Sequence, residues 1–341
     1  MSGEFLPRPP SSKSSKVFLI LIPILFLGIY FYNSSSSSSL LLKELYIEQQ
    51  EFESFIKQYQ KSYSTEDDYI KRFKTFRDNL SFIRVFNSKS LTYTLGPNEF
   101  LDMTSEEFSS KYLLSNTQIP ITKVNSNDFT DFKAPASVNW VSKGVVGPVI
   151  DQGSLGSAVP IVIAENIASI WALNGHSYIS LSYQELIDCV GPNANNGKYY
   201  EFVQKNGLTS NSIYPPAGVI GVCNKTKVAQ KVVSVSGVVD VNANSASSLI
   251  NSIALNPVTV YVEADQSAFM FYQTGTINSN CGANVNHILL AVGYDTTPSV
   301  PYYLAQNSWG TGWGMAGYVQ IGIQDGPGVC GIQTEPTYPI I

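Results

Sequence analysis

The chain has 341 residues, 44% of them hydrophobic, and a formal net charge of -5 at pH 7. That length accommodates one large domain or two modest ones around a sizeable core. A nearly balanced charge with no long basic run excludes a nucleic-acid partner, and no CxxC pair or His-rich cluster calls for a metal or any other cofactor.

Residues 1–16 are polar, contain three prolines, and read as a disordered cytosolic tail. Val17–Tyr32, VFLILIPILFLGIYFY, is an uninterrupted apolar run. As helix it would span about 24 Å, slightly short for a bilayer and slightly long for a signal-peptide core. Arg8, Lys13 and Lys16 precede it, which predicts a cytosolic N-terminus and a luminal remainder. A signal peptide fits the run; an uncleaved signal-anchor fits it better, because no small-x-small cleavage site follows. Asn33–Ser39 reads as a flexible serine linker. Glycosylation sequons occur at Asn33, Asn79 and Asn224, and modification is expected at Asn33 and Asn224. All four cysteines, Cys189, Cys223, Cys281 and Cys330, lie in the second half, an even number suited to two disulfides in an oxidising lumen.

Between Leu40 and Asp131 the chain carries 11 Lys/Arg and 14 Asp/Glu; from Phe132 to the end it carries 7 and 11 over more than twice the length, with no arginine. This shift places a domain boundary near residue 132, dividing 40–131 from 132–341. The first region reads as helical: Phe52, Phe55, Ile56 and Tyr59 recur at i, i+3, i+4, i+7, and Phe73, Phe76, Leu80 and Ile83 approximately so. The second opens with a helix, AVPIVIAENIASIWALNG, ended by Asn174–Gly175. It then turns strand-rich in KVVSVSGVVDV, PVTVYVEA, HILLAVGY, PYYLAQNSW and GYVQIGI. Helices followed by strands predict an α+β fold with two subdomains.

Five stretches of the second region, in order, resemble the papain-like cysteine proteases: PASVNWVSKGVVGPVIDQGSLGS, LSYQELIDC, NHILLAVGY, NSWGTGWGMAGYVQI and GVCGI. The first region is similar to the family's propeptide. Asp68, Arg72, Phe76, Asn79, Ile83 and Asn87 match its helical signature, with Asp68 where glutamate is usual. Gly96, Asn98, Phe100 and Asp102 match its second signature. The resemblance is to the cathepsin L-like branch and implies a helical subdomain, a β-barrel-like subdomain, and an inhibitory prodomain whose tail runs through the cleft between them. It also implies the pairings Cys189–Cys223 and Cys281–Cys330, and a lysosomal, vacuolar or extracellular location.

The same resemblance assigns roles. His287 matches the family's base, Asn307 the amide that orients it, Gln152 a donor of the oxyanion hole, and Trp309 the indole that shields the His–Asn pair. The position of the nucleophilic cysteine holds Ala158. His287 follows it by 129 residues and Asn307 by 149, in line with the family's spacing of roughly 130–150. A methyl group neither attacks a carbonyl nor ionises. Ser157 lies about 100° away around a helix, so its hydroxyl should point away from His287.

Other departures accompany Ala158. Leu155 and Ala194 stand at the two halves of a family disulfide, and Val159 replaces an aromatic residue. Gly197 matches the glycine whose backbone binds an extended peptide, with Asn196 and Lys198 as altered neighbours. Tyr261 falls near the floor of the main specificity pocket, and Asn286 precedes the histidine. The expected function is that of a catalytically inactive protease homologue that binds extended peptides and its own prodomain. The alternatives are a prodomain that inhibits active relatives in trans, and an active peptidase with an unforeseen nucleophile.

Overall fold

The computed structural model describes residues 36–114 and 132–341. The expected cytosolic tail, the apolar run 17–32, Asn33 and residues 115–131 lie outside the described residues. Among those described, no helix is long and apolar enough to cross a membrane.

Among the described residues, those up to Gln58 belong to one unit and those from Tyr59 on to another. The first contains helix α1 (Ser36–Gln58), in which Phe52 and Phe55, one turn apart, stack at 6.1 Å between centroids. Ser36 to Ser39, expected as linker, are helical: the serines share the first turns of a helix that the following leucines and glutamates favour.

The second unit begins with α2 (Glu66–Asn87), N-capped by Thr65, whose side chain accepts from the Asp68 N–H. The propeptide-type signature explains itself in contacts. Phe76 and Ile83 are buried. Arg72 Nη1 donates to Glu107 at 2.6 Å and to the Asp102 carbonyl at 2.9 Å, while its Nε lies 3.5 Å from Asp68. Asn79 Nδ2 donates to the carbonyls of Leu101 and Met103, both at 2.9 Å, and Asn87 clamps both backbone groups of Leu95. Gly96 lies against the Gln273 side chain, whose amide would have to move aside for a Cβ there. Asn98 reaches the Met270 carbonyl at 2.8 Å, and Asp102 accepts from Lys61 and Tyr63.

Helix α3 (Ser105–Tyr112) opens on a capping box of Thr104 and Glu107. Burial raises the Glu107 pKa, but the Lys71 bond, the Thr104 N–H and Arg72 outweigh it and hold the carboxyl down at about 2. A lowered acid pKa gives stability that is present above the ordinary carboxylate value and lost only as pH falls through about 2. Acidification to pH 5 is therefore expected to leave the α2–α3 pair intact. Limited proteolysis of the 59–114 region at pH 7 and pH 5 checks this; faster cutting at pH 5 alone would contradict it.

Strand β1 (Tyr93–Leu95) pairs antiparallel with β5 (Tyr272–Ile277), so this part of the N-terminal region joins the sheet of the second. Composition changes at residue 132, but the compact unit begins at Tyr59. The sheet has nine strands among the described residues, in the order β1-β5-β8-β7-β6-β4-β9-β3, with β2 (Ser137–Asn139) on β6. The others are β3 (Gly237–Asp240), β4 (Val258–Val262), β6 (His287–Asp295), β7 (Tyr302–Gln306), β8 (Tyr318–Gly322) and β9 (Thr337–Ile340). The order runs from β1 to β3, with β1 added at the β5 edge of the sheet.

The helical half holds α4 (Ala158–Leu173), α5 (Tyr183–Cys189), α6 (Asn196–Asn206) and the short α7 (Lys225–Val228). Helices α8 (Ala246–Leu255) and α9 (Ser267–Met270) lie between strands in sequence. Every residue of α4 from Ala158 to Ile170 is buried, as a helix apolar on all faces must be. One apolar cluster spans both halves, from Ala158, Val162 and Ile167 to Tyr199, Tyr261, Ile288 and Leu290. The disulfides are Cys189–Cys223 and Cys281–Cys330, and no cysteine is free.

Candidate active site

The turn before α4 is built by glycine. Gly153 and Gly156 take φ of 55° and 66°, the left-handed region that side chains disfavour. A Cβ on Gly156 would also meet the Lys111 carbonyl at 2.9 Å. The chain makes one 3-10 turn, Gly153–Leu155, and enters α4 at Ala158. Pro160 fits the first turn because the amides there have no intrahelical acceptor. Ala158 is fully buried. Ser157 Oγ donates to the Leu155 carbonyl at 3.4 Å, not to an imidazole.

His287 opens β6, opposite Val262 of β4. Its Nε2 lies 2.8 Å from Asn307 Oδ1, and the Ser308 N–H donates to the same oxygen at 2.8 Å. Because a backbone N–H can only donate, the Asn307 atom at that point is the carbonyl oxygen. His287 Nε2 therefore carries the proton, and Nδ1 of the neutral ring is left with a lone pair. That Nδ1 is buried and has no hydrogen-bond partner among the described residues; Asn307 Nδ2 and Trp309 Nε1 share this condition. Burial depresses the His287 pKa to about 4, against the opposing pull of Asn307.

Trp309 covers the histidine at 4.5 Å between ring centroids. Phe100, Phe108, Phe269 and Trp313 meet the indole edge-on at 5.0 to 5.9 Å. Two of these rings, Phe100 and Phe108, come from the N-terminal region, which thus completes a dry shield.

Gln152 sits across from this pair. Its N–H donates to the Ser308 carbonyl at 2.8 Å. Ser308 Oγ donates to Gln152 Oε1 at 2.7 Å, which turns the amide NH2 the other way, where Nε2 donates to the Tyr112 carbonyl at 3.2 Å. Two residues on, the Leu114 N–H donates to the Asn286 carbonyl at 2.7 Å. The Tyr112 carbonyl at the end of α3 and the Leu114 N–H just beyond it thus bond to Gln152 and to Asn286, the residue before His287. The Asn286 side chain is already used, its Oδ1 accepting from the Ala264 N–H at 2.7 Å.

The remaining expected residues lie less openly. Tyr261, on β4 opposite Ile288, is buried. Its hydroxyl pKa is pushed up by burial first, then by Glu335, Tyr200 and Tyr199. Gly197 lies in the first turn of α6, and its N–H donates to Asn196 Oδ1 at 3.0 Å; Lys198 is exposed. Ala194 packs against the core cluster, while Leu155 is half-buried in the turn. Ser308, which fixes the orientation of both Gln152 and Asn307, was not singled out by sequence; its place between Asn307 and Trp309 was the only signal. An open hollow of about 490 Å³ lies elsewhere, beside β2 and β6.

Comparison with known proteins agrees with this geometry. Residues 134–340 match the papain family cysteine protease domain, and residues 52–108 match the cathepsin propeptide inhibitor domain. Among named relatives, the thiol protease SEN102 of Hemerocallis sp. is 37% identical over 293 residues, covering 80% of this chain and 81% of the relative. Caricain of Carica papaya is 36% identical over 300 residues, covering 85% and 86%. Among solved structures, the recombinant stem bromelain precursor aligns with a TM-score of 0.79 at 30% identity, covering 86% of this chain and 99% of that one. Digestive procathepsin L2 of the Tenebrio molitor larval midgut aligns at 0.76 and 30%, covering 86% and 100%. The chain, with its cleft bridged by an N-terminal segment as in a protease precursor, belongs to the papain family of cysteine proteases and carries the cathepsin-type propeptide inhibitor domain.

Proposed function

We propose that this chain is a catalytically silent member of the family, a peptide-holding protein whose first occupant is its own prodomain. The observation that carries the reading is the methyl group of Ala158 at the position where the resemblance puts the nucleophile. Acyl transfer in this family class needs a thiolate, a base to hold and deliver its proton, and donors for the developing oxyanion. His287, Asn307 and Gln152 would supply the last two. The first has no source: all four cysteines of the chain are bridged, and the Ser157 hydroxyl is bonded to Leu155. The unpartnered Nδ1 of His287 is what a base without its thiol would look like.

The features for holding a peptide main chain support the rest. Gln152 and the Asn286 carbonyl grip residues 112–114 through backbone groups alone, a mode of recognition that does not depend on the side chains of the guest. The same economy favours a second reading for the prodomain. At residues 112–114 its side of the contacts is main chain, with Phe100 and Phe108 adding ring contacts to Trp309, so it would fit the cleft of active relatives and inhibit them in trans. A luminal setting, vacuolar, lysosomal or extracellular, agrees with the paired cysteines.

After removal of residues up to about 131 by an added protease, the unmodified chain is expected to show no turnover on fluorogenic peptides from acid to neutral pH. Thiol titration of the denatured, unreduced protein is expected to find no free thiol. Turnover that disappears on Ser157→Ala would sink the reading in favour of an unforeseen nucleophile.

A further inference from the structure

The loop Pro215–Val222, PPAGVIGV, has no charged or hydrogen-bonding side chain in eight residues, and all eight are exposed. Val222 is 91% exposed, Val219 61% and Ile220 58%. An apolar loop in water would ordinarily fold back on the body, but polar groups beneath this one hold its backbone out. Gln184 accepts from the Ala217 N–H and donates to the Val219 carbonyl, both at 2.8 Å. Asp188 accepts from the Gly221 N–H at 2.7 Å. Tyr214, itself bonded to Asp188 at 2.7 Å, reaches the Val222 carbonyl at 3.4 Å, and the Cys189–Cys223 disulfide closes the base.

The sequence flanking the loop is basic on balance. From Glu185 to Lys231 the chain carries five lysines, Lys198, Lys205, Lys225, Lys227 and Lys231, against three acids, Glu185, Asp188 and Glu201, although the whole chain has a net charge of -5. None of the five is in an ion pair among the described residues. Lys225 and Lys227 follow the loop directly, and the Lys227 ammonium stands 5.0 Å from the Tyr214 ring that supports it. A rigid apolar tip with a lysine skirt matches an anionic lipid surface: the tip enters the acyl boundary while the ammonium groups meet the headgroups.

We propose that this loop docks the helical half of the peptidase domain onto an anionic bilayer. The inference does not depend on whether the cleft hydrolyses peptides. The sequon at Asn224 abuts the loop, so a glycan there competes for the same face; docking belongs to the unglycosylated form.

The test uses the full chain, made without N-glycosylation, carrying Val222→Trp. The native indoles are buried or half-buried, so the new one reports the loop. In vesicles of phosphatidylcholine with phosphatidylserine, its emission is expected to shift to the blue and to be quenched by lipids with brominated chains. Lys225→Gln with Lys227→Gln is expected to lower the docked-to-free ratio about 30-fold, from about fivefold per lysine. Val219→Trp, on the same loop, should report likewise. Water-like emission in these vesicles, equal quenching in phosphatidylcholine alone, or a blue shift that appears without vesicles and grows with protein concentration would each overturn the proposal.

Discussion

Ala158→Cys, in the region left after the prodomain is removed, is expected to hydrolyse peptides that the unmodified protein leaves intact. Loss of a triad nucleophile in a serine protease lowers kcat by about 10⁶, and restoring the thiol should recover a large part of a factor of that order. The supporting groups are already in register. His287 is held by Asn307 with its free lone pair on Nδ1, and Gln152 is held by Ser308 with its NH2 turned outward. A thiolate beside the ring would also oppose the burial that now keeps His287 neutral down to about pH 4, since an opposite charge favours the protonated base. The unprocessed Ala158→Cys chain should be silent, because Tyr112 occupies the Gln152 donor. Adding His287→Ala should abolish the gain. The measurement is initial rate on a fluorogenic peptide panel. No turnover by processed, folded Ala158→Cys would mean that the cleft is dismantled beyond its nucleophile.

Glu165→Gln is expected to stabilise the protein in a strictly pH-dependent way. Glu165 is buried in α4 and accepts from the Tyr178 hydroxyl at 3.0 Å. Burial pushes its carboxyl up to about 7, with the Tyr178 bond pulling the other way. An acid raised in the folded state contributes stability that is fully present below its unfolded value, near 4.5, and is lost as pH rises through about 7. The shift corresponds to roughly 3 kcal/mol. Glutamine keeps an acceptor for Tyr178 and never charges, so wild type and variant should match near pH 4.5 and diverge by about that amount at pH 8.

His287 works in the opposite sense. Its folded pKa of about 4 lies below the ordinary 6.5, so its contribution is present above 6.5 and lost as pH falls through about 4. The contributions of these two groups offset each other between pH 4.5 and 6.5, while Glu335, also raised by burial to about 7, adds a loss of stability as pH rises. The variant, freed of the Glu165 contribution, should gain stability relative to the wild type as pH rises across that window. Denaturant melts across this range decide it; a gap that does not change with pH would exclude the ionisation of Glu165 as its cause.

Much of the site was legible because its residues sit inside motifs with fixed neighbours: His287 after Asn286, Asn307 before Trp309, Gln152 in a glycine turn. What those residues do to one another was not. The tautomer of His287 follows from the Ser308 amide, and the orientation of Gln152 from the Ser308 hydroxyl, both hydrogen-bond geometries without a sequence pattern. Glu165 was hidden for another reason. Because α4 is buried on every side, its polar residues do not mark a solvent face, and periodicity gives no warning of a carboxyl in the core. Among strands, PVTVYVEA, HILLAVGY, PYYLAQNSW and GYVQIGI carry β4, β6, β7 and β8. KVVSVSGVVDV yields only Gly237–Asp240 as strand, while Val233 makes an isolated bridge to Leu208. Strands β1, β2, β5 and β9 were missed because each is short or interrupted by glycine or proline, and their pairing spans long stretches of chain.

The pairing of β1 with β5 changes meaning if the chain never cuts itself. In a precursor that matures, such a strand is scaffolding, discarded once the enzyme is made. Here it would remain the border of the sheet for the lifetime of the molecule, covering backbone groups of β5 that would otherwise invite pairing with another chain. Tyr93 to Leu95 and the close approach at Gly275, where a Cβ would meet the Thr92 carbonyl at 2.4 Å, would then be subject to the same long-term selection as the core. Inherited variants that loosen this border would act as aggregation variants, and would be recognised by loss of soluble protein rather than by any change in proteolysis.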